Sequence, residues 1–361
     1  RSFDAGDWSR AAPSHRKQVL LRLADLVEQH ADELALLETL DMGKPVRDAR
    51  QGDLAGVLRC LRWTAEAADK VYGEVAPTAL DTLGLITREP VGVVAVIVPW
   101  NFPLLMASWK IAPALAAGNS VVLKPSERSP LSVIRLAALV AEAGVPDGVF
   151  NVLPGHGERT GEPLALHMEV DALAFTGSTA VGRRLLQCAG RSNLKRTWLE
   201  CGGKSPNLVF ADAPDLDKAA QAAATAIFYN QGEVCTAGSR LLVQRSIKDA
   251  FVARVLAHGR HMQPQHPFEP DAAMGALVDE AHAGRVLDYV ARGEADGARL
   301  LLGGKRLAVV PGGSYVEPTV FDEVDPQHTI AREEIFGPVL SVLTFDHEAD
   351  ALRMANDSIY G

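Results

Sequence analysis

The side chains best suited to chemistry are a thiol, two carboxylates and an amide, each placed at a turn. Cys235 lies in "IFYNQGEVCTAG" (227–238), bounded by Gly232 and Gly238 and surrounded by Asn230, Gln231, Glu233 and Thr236. A thiolate is a strong nucleophile, but at an ordinary pKa of about 8.5 little of it is ionised at neutral pH, so such a sulfur needs activation. The flanking glycines let a ligand approach the backbone, and the Cys235 N–H then becomes a donor to an oxyanion. The alternative is an inert thiol buried in a core.

Glu200 in "LECGG" (199–203) stands at a strand end before two glycines. An apolar setting would raise its pKa and suit it to general-base work; a salt-bridged surface role is the alternative. Asn101 in "PWNFP" (99–103) either donates its amide N–H to developing negative charge or caps a turn. "LKPSE" (123–127) offers Lys124 and Glu127 to sugar hydroxyls, and a carboxylate there disfavours a 2′-phosphate. Read otherwise, it is a solvated loop with a helix cap at Ser126 or Ser129. "FTGSTAVG" (175–182) is a glycine turn opening a helix, where backbone N–H groups favour anions.

Other chemistries are excluded by pattern. "GGKS" (202–205) echoes the tail of a P-loop, but Trp198 stands where the first glycine belongs. His258, His261 and His266 cluster around Pro264 without a cysteine partner, and no HExxH occurs, so no metal is expected.

The elements that must position these residues alternate. Residues 14–40 read as one amphipathic helix with Ser14 as its cap, and 53–70 as another. Residues 71–92 break the helical period with Gly, Pro and alternating apolar residues, and read as a hairpin-like arm. From 91 onward short apolar strands alternate with helices. "VGVVAVIVP" is apolar on both faces, as a buried parallel strand must be. The order β-α-β-α implies a parallel sheet with helices on both faces, and a second α/β domain beginning near 204.

Composition agrees. The chain of 361 residues is 47% hydrophobic and 22% charged, enough for two ordinary domains. A net charge of −9 argues against nucleic acid or an anionic membrane as partner. No apolar run approaches the roughly 18 residues of a membrane span. Cys60, Cys188, Cys201 and Cys235 lack paired spacing, which suits a reducing compartment, and a cytoplasmic location is expected.

Taken in order, "PWNFP", "LKPSE", "FTGST", "LE-GGKSPN", "NQGEVC-AG" and "EEIFGPV" (333–339) resemble the aldehyde dehydrogenase superfamily over nearly the whole chain. The resemblance implies an α/β fold with a Rossmann-type NAD-binding domain over 1–203, a catalytic domain over 204–361, and the 71–92 arm as an oligomerisation element. It implies NAD as cofactor, with NADP the alternative, a small-molecule aldehyde as substrate, and a homodimer or homotetramer at full length. Cys235 would attack the carbonyl, Asn101 and the Cys235 N–H would hold the oxyanion, and Glu200 would activate water. Ile97, Pro99, Trp100, Lys124, Ser126, Glu127, Gly157, Phe175, Gly177, Ser178, Glu334 and Phe336 match cofactor positions. Phe102, Met106 and Trp109 match an apolar aldehyde tunnel.

The wording of "RSNLKRTWLECGGKSPNLVFADAPDLDKAA" (191–220) and "AIFYNQGEVCTAG" (226–238) is most similar to the branch acting on γ-glutamyl-γ-aminobutyraldehyde in putrescine breakdown. Betaine-aldehyde and broad-specificity branches are the alternative. Glu200 argues against a rival that passes the acyl group to coenzyme A, and the joint presence of Cys235, Glu200 and Asn101 argues against a non-enzymatic role. Cys201 departs from the usual Leu or Ala and reads as a small apolar replacement. Both ends look clipped beside the family pattern, so a fragment of a longer chain is expected.

Overall fold

A computed structural model describes residues 1–360. The chain divides into two compact units, residues 1–41 with 49–201, and 42–48 with 202–361.

The first unit is built on a five-stranded sheet. Two short strands come earlier in the chain, β1 (Glu74–Ala76) and β2 (Gly84–Ile86), paired antiparallel as the arm. The sheet strands are β3 (Val93–Ile97), β4 (Ser120–Lys124), β5 (Phe150–Val152), β6 (Ala172–Thr176) and β7 (Arg196–Glu200). They lie in the order β5-β4-β3-β6-β7, all parallel. β3 sits at the centre because Val-Val-Ala-Val-Ile offers β-branched side chains to both faces. Ala95 and Ile97 pack with Leu173, Phe175, Leu185 and Cys188 on one side. Val94 and Val96 turn the other way, toward the face covered by the helix Pro103–Ala116.

The long N-terminal helix expected over 14–40 is two helices, Pro13–Gln29 and Ala31–Met42. The leucine spacing runs through the junction, so periodicity alone hides the break at His30. Pro13, not Ser14, begins the first of them, with its fixed φ at a position that needs no N–H donor.

The second unit holds β8 (Pro206–Val209), β9 (Arg240–Gln244), β10 (Arg299–Leu302), β13 (Thr319–Asp322) and β14 (Val339–Phe345) in the order β10-β13-β14-β9-β8. Only β10 is antiparallel to its neighbour. A small ribbon of β11 (Arg306–Leu307) and β12 (Tyr315–Val316) stands apart. Alternation along β14 fills two cores. Leu340 and Val342 pack with the helices Leu216–Phe228 and Lys248–His261. Val339, Leu343 and Phe345 pack with the helix Glu280–Ala295. The segment Met42–Asp48 belongs to this unit by its packing. Ala276 N donates to Gly43 O at 3.1 Å, Val46 N to Pro267 O at 2.9 Å, and Arg47 Nη2 to Ala272 O at 3.0 Å.

Candidate active site

In the first unit the chemistry-bearing turns all follow the carboxyl ends of parallel strands, where open α/β sheets take their ligands. After β3 come Pro99, Trp100 and Asn101, and then the helix Pro103–Ala116. Pro99 and Trp100 are partly buried, and Asn101 is buried. Phe102, Met106 and Trp109 fall at helical spacing on one stripe. The first two are buried and Trp109 is 53% exposed, so the stripe runs from the covered turn to open surface.

This turn is fixed by a residue the sequence did not single out. Glu38 is fully buried, and its Oε1 accepts from Leu104 N at 2.8 Å and from Ser132 Oγ at 3.4 Å. Asp41, one helical turn on, accepts from Leu131 N at 2.8 Å and so caps the helix Leu131–Glu142. Neither Ser126 nor Ser129 caps it, contrary to the alternative reading of that loop. Ser126 Oγ instead accepts from Arg128 N at 3.2 Å and closes the turn after β4. The capping carboxylates are far away in sequence, so no local capping signal exists.

Lys124 is buried at the end of β4, its Nζ 2.6 Å from Pro125 O and 3.5 Å from Glu127 Oε2. Burial lowers its pKa, and Glu127 opposes that. Glu127 itself is exposed and faces a cavity of about 620 Å³, together with Ile97 and Gly157. Gly157 begins a π-helical turn, Gly157–Gly161. The opposite wall is Val181, Leu185 and Cys188 of the helix Thr179–Gly190. Those wall residues were missed, although their spacing marks one helix face. Ser178 caps this helix by accepting from Val181 N at 3.3 Å. Phe175 is buried beneath Gly177, whose N–H donates to Glu200 O at 3.0 Å. Glu200 is exposed at the end of β7, so the enclosing apolar setting expected for it is not found.

In the second unit Cys235 is partly buried and follows an unusual backbone. Asn230, Gln231 and Gly232 are successive left-handed residues, with φ of 49°, 58° and 72°. Each non-glycine residue in that region costs roughly 1–2 kcal/mol, so the turn has to be held. Asn230 Nδ2 donates to Glu233 O at 3.2 Å, and Gln231 Oε1 accepts from Gly275 N at 2.8 Å. Glu233, fully buried, accepts from Val278 N at 3.1 Å, and burial pushes its pKa well above the usual carboxylate range.

Two glycines bring the unit's motifs together. A Cβ on Gly203 would sit 2.3 Å from Cys235 O, and one on Gly232 would sit 2.2 Å from Gly337 O. The "GGKS" turn, the thiol turn and the "EEIFGPV" turn therefore meet at backbone contact. Glu334, partly buried, adds a tie by accepting from Gly203 N at 2.9 Å. Burial raises the Glu334 pKa, against that bond, Arg285 and Lys204. Phe336, partly buried, also takes a left-handed φ of 60°.

Lys204 stands beside this junction. It is 3% exposed, and its Nζ has no hydrogen-bond partner among the described residues. Burial and nearby Arg240 push the ammonium down to about 7, against Glu334 and Glu333. The unfolded chain, at 10.5, binds that proton more tightly, so stability rises with pH between about 7 and 10.5. Lys204→Met is expected to stabilise the protein at pH 7 by roughly 4 kcal/mol, with the gain fading toward pH 10.5. Calorimetric Tm at the two pH values measures this, and an equal gain at both would assign the effect to packing.

Each unit thus supplies part of the set of residues singled out in the sequence. The family profile described as "Aldehyde dehydrogenase family" matches residues 2–361. The chain belongs to the aldehyde dehydrogenase family. It is 57% identical over 359 residues to the NADP/NAD-dependent aldehyde dehydrogenase PuuC of Escherichia coli K12, covering 99% of this chain and 72% of that protein. Among solved structures it is similar to the γ-glutamyl-γ-aminobutyraldehyde dehydrogenase of Burkholderia cenocepacia, with TM-score 0.98 and 61% identity, covering all of this chain and 73% of that one. An indole-3-acetaldehyde dehydrogenase complexed with NAD+ gives the same TM-score, identity and coverage. The aldehyde dehydrogenase fold expected from the motifs is therefore the observed one, and the chain is an oxidoreductase of that family. No helix among the described residues is long and apolar enough to cross a membrane.

Proposed function

We propose that the protein oxidises an aldehyde to its carboxylic acid with NAD as hydride acceptor. Its substrate is γ-glutamyl-γ-aminobutyraldehyde or a closely related aliphatic or amino-bearing aldehyde of putrescine breakdown. The observation that carries the reaction is the thiol turn: a partly buried Cys235 three residues beyond the left-handed run Asn230–Gly232, its carbonyl pressed against Gly203. The likeness to PuuC and to the Burkholderia enzyme supports the substrate.

The residues present fit the cofactor. The cavity of about 620 Å³ lies in the size range of a small-molecule site, with the Glu127 carboxylate and the Gly157 turn on its walls. Ile97, Pro99, Trp100, Lys124, Ser126, Phe175, Gly177 and Ser178 would complete the adenosine and phosphate contacts, and Glu334 and Phe336 the nicotinamide end. NAD, when bound, supplies a two-electron hydride acceptor. NADP is the alternative carrier.

The protein's own residues do the rest. The Cys235 sulfur adds to the carbonyl carbon and forms a thiohemiacetal, whose oxyanion takes hydrogen bonds from the Asn101 amide and the Cys235 N–H. Loss of hydride from that carbon leaves a thioester. Glu200 removes a proton from water, which adds to the thioester carbon. The C–S bond then breaks, releasing the acid and the thiolate. Phe102, Met106 and Trp109 would line the aldehyde's path. The first unit is read as the NAD-binding domain and the second as the catalytic domain. The exposed Val75, Leu80, Leu83 and Leu85 of the arm would be covered in a homodimer or homotetramer, in the cytoplasm.

The test is a panel of aldehydes on full-length protein, followed by NADH absorbance. The expected result is the highest kcat/KM for γ-glutamyl-γ-aminobutyraldehyde, without coenzyme A. Betaine aldehyde outrunning it, or a requirement for coenzyme A, would overturn the reading.

A further inference from the structure

The turn at 333–337 is gripped by one face of one helix. On the helix Glu280–Ala295, His282, Arg285, Val286 and Tyr289 recur at i, i+3, i+4 and i+7, a single stripe. His282 Nε2 donates to Phe336 O at 2.7 Å, and Arg285 Nη2 to Glu334 O at 3.0 Å. Tyr289 Oη donates to Glu333 Oε2 at 2.7 Å. Val286 closes the stripe: a Cβ on Gly337 would lie 2.5 Å from its Cγ2. Four side chains from one stripe of the helix thus meet four of the five residues of the turn.

His282 does more than the others. It is 5% exposed, and its Nε2 also lies 3.7 Å from Oε1 of fully buried Glu233. Glu233 is two residues before Cys235 and is held by Val278 N, next to the Asp279 that caps the His282 helix. The imidazole therefore stands between the turn that carries the thiol and the carbonyl of left-handed Phe336. Its own backbone is fixed, because His282 N donates to Asp279 Oδ1 at 2.8 Å.

We propose that His282 is a positioning residue that sets the backbone of Phe336 and, through Glu233, the turn bearing Cys235, so that one imidazole registers both. This rests on the roles given above to Cys235 and Phe336. It requires the Nε2–H tautomer, since a carbonyl only accepts. A left-handed non-glycine residue persists only while its surroundings over-determine it, and the bond to Phe336 O is one restraint at that residue.

The test compares His282→Leu, His282→Asn and His282→Gln on the full-length protein. Gln places an amide N–H near the position of Nε2. Asn is shorter and does not reach, and Leu has no donor. His282→Leu is expected to lower kcat about 30-fold and to raise KM for NAD, with KM for aldehyde unchanged. His282→Asn should behave like Leu and His282→Gln should stay within about threefold of wild type, so the pair of polar variants decides the matter if Leu does not fold. A readout without cofactor is alkylation of Cys235 by iodoacetamide, followed by mass spectrometry of its peptide. It should quicken at least about threefold in the Leu and Asn variants as the turn loosens, and not in Gln.

Wild-type kcat in both Leu and Asn variants, an unchanged Cys235 alkylation rate in them, or a Gln variant as impaired as the other two would overturn the proposal. Failure of the underlying reading looks different. It shows as wild-type protein that does not reduce NAD with aldehyde, or as turnover surviving in Cys235→Ala.

Discussion

Cys235→Ala is expected to bring aldehyde-dependent NADH formation down by at least about 10⁴-fold while NAD binding persists. No other group in the proposed sequence can form the thioester, and an alanine cannot add to a carbonyl. The turn itself should survive. Its left-handed residues are held by Asn230 Nδ2 on Glu233 O and by Gly275 N on Gln231 Oε1, and neither bond involves the sulfur. The cavity beside Glu127 lies wholly in the first unit, so the substitution leaves its lining intact. NADH absorbance and equilibrium dialysis of NAD measure the two halves of the expectation. Turnover within tenfold of wild type would remove Cys235 as nucleophile.

Glu200→Gln separates the two halves of the reaction. Thioester formation needs the thiol, the oxyanion donors and the hydride acceptor. Only release needs a base for water. The substitution should leave a stoichiometric burst of NADH on first mixing and slow the following steady rate by about 10² to 10⁴-fold. Because Glu200 is exposed at the end of β7, glutamine there should leave Tm unchanged. Its main-chain carbonyl, which accepts from Gly177 N, is retained in the variant. Stopped-flow absorbance decides. A burst lost together with the steady rate would move Glu200 out of the release step.

Much of the site was legible because its parts sit where local rules operate. Buried parallel strands announce themselves by β-branched runs such as Val93–Ile97, and the turns after them carry the polar residues. Gly232 and Gly203 were visible as glycines, but the reason for them was not. The Gly337 and Cys235 carbonyls that press on them come from elsewhere in the chain. Gln231 is a poor candidate for a left-handed turn by type, and its side-chain bonds to Gly275 N and Glu233 Oε2 make it tolerable.

Glu38 and Asp41 read as ordinary helix residues, yet they cap two other helices, and nothing nearby in sequence says so. The break at His30 was hidden for the opposite reason. Leu20, Leu23, Val27, Leu34 and Leu37 keep one period across it, because both helices turn apolar faces inward. The setting of Glu200 was misjudged because "TWLECGG" is apolar in sequence, while β7 is an edge strand of its sheet.

The short passage Met42–Asp48 has an outcome for how the molecule comes to exist. It leaves the ribosome before Pro267, Ala272 and Ala276, to which it bonds, have been made. Buried Lys44 and Met42 cannot reach their final surroundings until then. The second unit is therefore not a cassette that evolution or an engineer could lift out by one cut: its interior includes a thread encoded upstream of the whole first sheet.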